Sequence, residues 1–85
     1  MTEVEILTAI MKRVNGSKDV DLSLWTIGVT DDPERRYQEH GKPKHWLCWE
    51  ADTEEQARAV ESFLIEKGMK GGTGGPGSAG YVYIF

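Results

Sequence analysis

Arg35, Arg36, His40, Lys42, Lys44 and His45 fall within eleven residues of an otherwise acidic chain. Basic and titratable side chains at that density form either a local positive patch that holds phosphate groups or a solvated basic turn. Arg36 carries a planar fork of donors suited to gripping two phosphate oxygens and to stabilising negative charge as it develops. At helical spacing the same side chain can instead pair with Asp32 or Glu39. His40 follows Arg36 by four residues, so on a helix it shares that face, where it could hold a phosphate or pass a proton near neutral pH. Glu61 is the carboxylate of interest. At about 100° per residue it falls beside Ala57 and Leu64 at the edge of an apolar helix stripe, whereas Glu55, Ser62 and Glu66 point away. Partial desolvation there suits oxygen ligation of a divalent cation; the alternative is a surface glutamate whose stem lies over the rim of the core.

Other candidates are less specific. Lys67, Lys70 and the run Gly71-Gly72-Thr73-Gly74-Gly75 could cradle phosphate with backbone N–H groups, but the Gly-Lys-Ser/Thr end of a nucleotide-binding loop is missing. Trp25, Trp46 and Trp49 could stack on bases, yet a chain this small needs large side chains in its core, and packing is the expected role. Cys48 has neither a second thiol nor a basic neighbour in sequence and reads as buried packing.

The elements that must carry these residues follow from periodicity and punctuation. Thr2 and Glu5 stand in capping-box spacing before Ile6, Leu7, Ile10, Met11 and Val14, which predicts a helix over 2–14 that Asn15-Gly16 ends through left-handed conformations. Residues 22–29 predict a strand covered on both sides. Asp31-Asp32-Pro33 starts a helix that Gly41 and Pro43 end after about two turns. Residues 45–51 predict a buried strand. Thr53 with Gln56 forms a second capping box, opening a helix to about residue 67 with Ala57, Val60, Phe63 and Leu64 as its apolar stripe, stopped by Gly68. Residues 68–80 hold seven of the ten glycines and read as a loop. Tyr81 to Phe85 is a strand added to the sheet. The expected fold is a single α/β (α+β) domain over 1–85, order α-β-α-β-α-β, with a three-stranded, mostly antiparallel sheet flanked by three helices.

Composition narrows the rest. Ten Lys+Arg against fourteen Asp+Glu give a net charge of −4, which argues against coating nucleic acid through bulk charge, so any phosphate must be held locally. The longest apolar run is far short of the ~18 residues of a membrane span. One cysteine excludes an internal disulfide, and without a signal-like start the expected compartment is the cytoplasm.

The stretch Ile27-Gly28, Thr30, Asp32-Pro33, Arg35-Arg36 and His40, with Arg36 eight residues after Gly28, resembles the GIY-YIG nuclease family. So does the helix 53–65, in which Glu61 follows the small residue Ala57 by four positions, as the family's metal-binding glutamate does. The likeness spans about half the chain, residues 22–66. It implies a DNA endonuclease with one Mg²⁺ or Mn²⁺ on Glu61, Arg36 stabilising the phosphate's extra charge, His40 assisting, Arg35, Lys42 and Lys44 binding phosphate, and Gly28 as a structural turn.

The chain also departs from the pattern. Thr26 stands where the family's second motif has tyrosine, the first Gly-Ile-Tyr motif is missing before it, and the usual late asparagine has no counterpart. Gly80-Tyr81-Val82-Tyr83-Ile84 reads like the missing strand displaced to the C-terminus. A circular permutation would pair it antiparallel beside strand 22–29 and bring Tyr81 or Tyr83, which share a face, into the site. The alternative is a degenerate relative that has kept the scaffold as a nucleic-acid or protein interaction module. Expected partners are DNA, branched or single-stranded among the options, with a protein partner for specificity and a monomer favoured over pairing of the terminal strand with a second copy.

Overall fold

The computed structural model describes residues 1–18, 20–71 and 80–85. Helix α1 (Glu3–Asn15) is followed by a single 3₁₀ turn (Leu22–Leu24), strand β1 (Thr26–Thr30), helix α2 (Pro33–Glu39), strand β2 (Leu47–Glu50), helix α3 (Glu54–Glu66), strand β3 (Lys70–Gly71) and strand β4 (Tyr81–Ile84). The class is α+β as expected, but the sheet is four-stranded and mixed, in the order β2-β4-β1-β3. The unexpected strand is β3, which pairs parallel with β1, Thr26 opposite Lys70 and Ile27 opposite Gly71. Two residues at the rim of a glycine run carry too little periodicity to announce a strand.

β4 lies antiparallel to β1, Gly28 opposite Tyr83, and antiparallel to β2, Cys48 opposite Tyr83. The C-terminal strand therefore pairs where the sequence placed it. It is flanked on both sides, so the edge through which a second copy could have paired is taken; the outer strands are β2 and β3.

Local chemistry explains the helices. The Thr2 hydroxyl accepts from the Glu5 N–H while the Glu5 carboxylate accepts from the Thr2 N–H, the complete capping box. The helix ends on Gly16 at φ −85°, an ordinary right-handed value, so the left-handed stop expected at Asn15-Gly16 is not used. Thr53 caps α3 through the Gln56 N–H. Gln56 does not complete that box: its side-chain oxygen accepts from the Glu3 N–H at 2.7 Å, tying the start of α3 to the start of α1.

One face of the sheet forms the core. Ile27, Val29, Val82 and Ile84 pack with Ile6, Ile10 and Val14 of α1 and Ala57, Val60 and Leu64 of α3. Phe63, expected in that stripe, is 44% exposed. The strand expected over 22–29 begins only at Thr26, because Asp21 accepts from the Ser23 N–H and winds 22–24 into a turn. The strand expected to be buried, β2, is an outer strand with Leu47, Cys48 and Glu50 exposed. Cys48 is thus a surface thiol, not core packing. Among the tryptophans only Trp25 is buried in the core; Trp49 packs against its rim and Trp46 lies in the cluster described next. Among the described residues no helix is long and apolar enough to cross a membrane.

Candidate functional site

Tyr83 is fully buried on the sheet face opposite the aliphatic core. Its position depends on Gly28. A Cβ at residue 28 would run into the Tyr83 ring and hydroxyl, so the absent side chain makes room for the phenol. Gly28 is not the turn expected of it; it lies inside β1. Trp46 stacks on Tyr83 with centroids 4.5 Å apart and planes at 16°, and Phe85 lies nearly parallel at 6.2 Å. Tyr37 meets the edge of Trp46 at 5.5 Å. Rings of this size enclose a polar atom while burying a large area at small entropy loss.

The polar atom is the Tyr83 hydroxyl, which shares a hydrogen bond of 3.1 Å with His40 Nε2. α2 delivers that histidine. Asp32 caps the helix by accepting from the Arg35 N–H, and Pro33 occupies its first turn. The buried Thr30 hydroxyl accepts from the Asp32 N–H at 3.0 Å and fixes the angle at which the chain leaves β1. At the other end the His40 N–H bonds the Arg36 carbonyl. Gly41 (φ 78°) and Lys42 (φ 54°) then turn the chain through two left-handed residues. For lysine that conformation costs about 1–2 kcal/mol, held by a bond from the Lys42 N–H to the Tyr37 carbonyl.

Arg36 lies one turn before His40, with its side chain only 13% exposed and NH1 3.4 Å from the Glu39 carboxylate. Of the two partners its spacing allowed, Glu39 is the one used. Its Nε is buried and has no hydrogen-bond partner among the described residues, so one prong of the fork remains open for an acceptor.

The electrostatics draw Glu61 into the group. Burial pushes the Tyr83 phenol above its ordinary value, the Arg36 charge works against that, and the carboxylates of Glu61 and Glu39 add to it. Glu61, half-buried at the edge of α3, has its own carboxyl pushed up by burial, partly offset by Arg58. Tyr83, His40, Arg36 and Glu61 thus share one electrostatic neighbourhood supplied by β4, α2 and α3.

The remaining expected residues lie elsewhere. Tyr81 stands opposite Glu50 of β2, and that carboxylate is the main reason its phenol is shifted upward; it is the tyrosine left out of the cluster. Arg35 is exposed and bonds Asp31 at 3.1 Å. Lys42 and Lys44 are exposed on the turn after α2. The phosphate cradle considered at 71–75 falls almost wholly outside the described residues. Sequence reasoning missed Trp46 and Phe85 as the walls around Tyr83; the alternation Tyr81, Tyr83, Phe85 on one strand face was the signal for an aromatic surface.

A divalent cation fits these residues in one way only. Among the described residues no three His, Cys, Asp or Glu side chains gather as a ready metal cage. A half-buried carboxylate such as Glu61 suits Mg²⁺ or Mn²⁺ that keeps several waters and completes its shell with substrate phosphate. No family model, curated protein or solved structure matches the chain.

Proposed function

We propose that this domain hydrolyses phosphodiester bonds of DNA in the manner of the GIY-YIG nucleases it resembles, as a permuted form in which β4 stands in for the missing first strand. The observation that carries the reading is the Tyr83 hydroxyl bound to His40 over Gly28, with the charges of Arg36 and Glu61 acting on the same oxygen. Sequence spacing alone could not have required His40 and Tyr83 to meet, or the charges of Arg36 and Glu61 to act on the same phenol.

The roles follow from the chemistry of each group. Arg36 donates to the phosphate oxygens, its buried Nε gaining the acceptor it lacks. Tyr83, held neutral by burial, orients a water and relays its proton. The phenol's own proton passes to His40 Nε2, which accepts its hydrogen bond, as the water's proton passes to the phenol oxygen, so Tyr83 ends the step neutral and His40 carries the proton. Glu61 would hold the cation, and one Mg²⁺ or Mn²⁺ there would polarise the scissile phosphate, worth several kcal/mol of transition-state stabilisation.

The test is a Mn²⁺ titration of isotope-labelled protein followed by NMR, wild type against Glu61→Gln. Broadening centred on residues 28, 36 and 61 and abolished by the substitution supports the reading. Broadening over scattered exposed carboxylates, unchanged in Glu61→Gln, overturns it. A second reading, a scaffold retained for binding without catalysis, draws on one observation: Tyr83 is wholly enclosed beneath Trp46, so water reaches its hydroxyl only if the 40–46 turn lifts. That reading requires DNA binding without nicking of a supercoiled plasmid at any Mg²⁺ or Mn²⁺ concentration.

A further inference from the structure

Away from the Tyr83 cluster, a cavity of about 350 Å³ opens between the end of α1 and the turn before β2, lined by Arg13, Gly16, Ser17, Lys18, Trp25 and His45. Among the described residues, none of those that line it is acidic. We propose that this cavity is a second phosphate-binding pocket, which holds the backbone of a single nucleic-acid strand beside the Tyr83 site. It rests on the reading of the domain as one that handles phosphodiesters.

Three observations carry it. The first is charge. Arg35, Arg36 and Arg58 each have a carboxylate within 3.4 Å, whereas among the described residues Arg13 and Lys18 have none. In a chain of net charge −4, two cations gathered in one cavity with no carboxylate partner among the described residues make a local reversal that an anion would complete. The second is preorganisation. Arg13 lies over the Trp25 indole at 5.4 Å, and its NH2 is 3.5 Å from His45 Nδ1. Arginine can only donate, so in this contact Nδ1 is the acceptor, which leaves Nε2 as the ring's donor. The cation–π contact with the indole restrains the guanidinium while leaving its other N–H groups for two oxygens of one phosphate.

The third is placement. His45 lines the cavity, and the next residue, Trp46, stacks on Tyr83. Lys42 and Lys44 stand exposed on the same turn, again without a carboxylate partner among the described residues. Cations therefore run along one turn from the Tyr83 cluster into the pocket, a track for successive phosphates and more than a free phosphate requires.

The experiment is an NMR titration of the full chain with a short single-stranded oligonucleotide, a mononucleotide and inorganic phosphate, over a range of salt. Wild type is compared with Lys18→Gln, an exposed position whose loss leaves the core intact, and with Arg13→Lys, which keeps the charge but loses the fork. The expected result is movement of the Gly16 and Ser17 amides and the Trp25 indole N–H with the oligonucleotide. Affinity should fall about five-fold in Lys18→Gln, with the slope of log K against log salt reduced by about 0.7. Arg13→Lys should weaken binding with the slope retained. Movement with phosphate or the mononucleotide as strong as with the strand would reassign the pocket to a small anion and overturn the proposal, as would no movement at all. Glu61→Gln separates the two readings: pocket shifts without Mn²⁺ broadening at Glu61 would sink hydrolysis alone, and broadening without pocket shifts would sink the pocket alone.

Discussion

The two faces of the central strands differ more than their alternating residues would suggest. Toward α1 and α3, β1 and β4 present Ile27, Val29, Val82 and Ile84, all of them buried among aliphatic side chains. Toward α2 they present Gly28, Tyr83 and Phe85, enclosed with Trp46 and His40. Those four strand side chains carry no polar atom and fill space by shape. The second face encloses a hydroxyl, an imidazole and part of a guanidinium, so its rings must exclude solvent while each polar atom finds a partner. Aliphatic packing is concentrated on one side of the sheet and the buried polar groups on the other.

Substitutions on each face can break or sharpen that contrast. The largest effect is expected from Ile27→Ala or Leu64→Ala, which leave cavities in the aliphatic face and should each lower unfolding free energy by about 3–4 kcal/mol in urea titrations. The His40–Tyr83 signals of the folded protein should stay in place; if they move as far as those of the core, the faces are not independent. Gly28→Ala should lower stability by about 2–3 kcal/mol, because the new methyl group and the Tyr83 ring claim the same volume. A smaller residue at 83 should recover part of that loss, with a coupling of about 1 kcal/mol or more in a double-mutant cycle. Tyr83→Phe keeps the ring and removes one hydrogen bond, a loss of about 1 kcal/mol, and under the proposed function it should abolish strand cleavage.

The smallest effect has the opposite sign. Burial raises the Glu61 carboxyl above its ordinary value of 4.5 in the folded chain. A group with a raised folded value contributes its stability below the unfolded value and loses it as pH rises through the folded one. Glu61→Gln should therefore gain on wild type between mildly acid and neutral pH. The gain should be no more than about 0.5 kcal/mol, since the carboxylate is half open to screening solvent. Thermal melts of both proteins across that range would show it, and a flat difference would mean that Glu61 is not desolvated.

What the sequence made legible follows the same division. The aliphatic face was readable because one-sided burial writes its period into the chain: Ile6, Ile10, Val14 and Ala57, Val60, Leu64 were assigned to the core and lie in it. The caps Thr2, Asp32 and Thr53 were readable because each satisfies its own helix within three residues. The other face was hidden. Gly28 reads as a turn until Tyr83 is placed across from it, and Trp46 reads as core until the turn after α2 folds it onto that ring. Arg36 and His40 were assigned to one helical face by spacing, but their approach to Tyr83 depends on a strand pairing across more than fifty residues. Leu47, Cys48 and Phe63 misled because apolar character alone does not distinguish an edge from an interior.

The strand order β2-β4-β1-β3 has a kinetic consequence. Among the described residues no two consecutive strands are neighbours, so the sheet they form contains no hairpin that could form early from nearby residues. β2 joins it only through β4, and β1 meets its partners only after the chain has passed through α2 and α3. Every ladder must close a long loop before any of its hydrogen bonds stabilises it, which places folding on the order of milliseconds or longer despite the small size. The locally capped helices α1 and α3 are the elements able to form first, and the collapse of their aliphatic stripes would bring the strands together. The aromatic face would then be assembled last, when Tyr83 settles over Gly28.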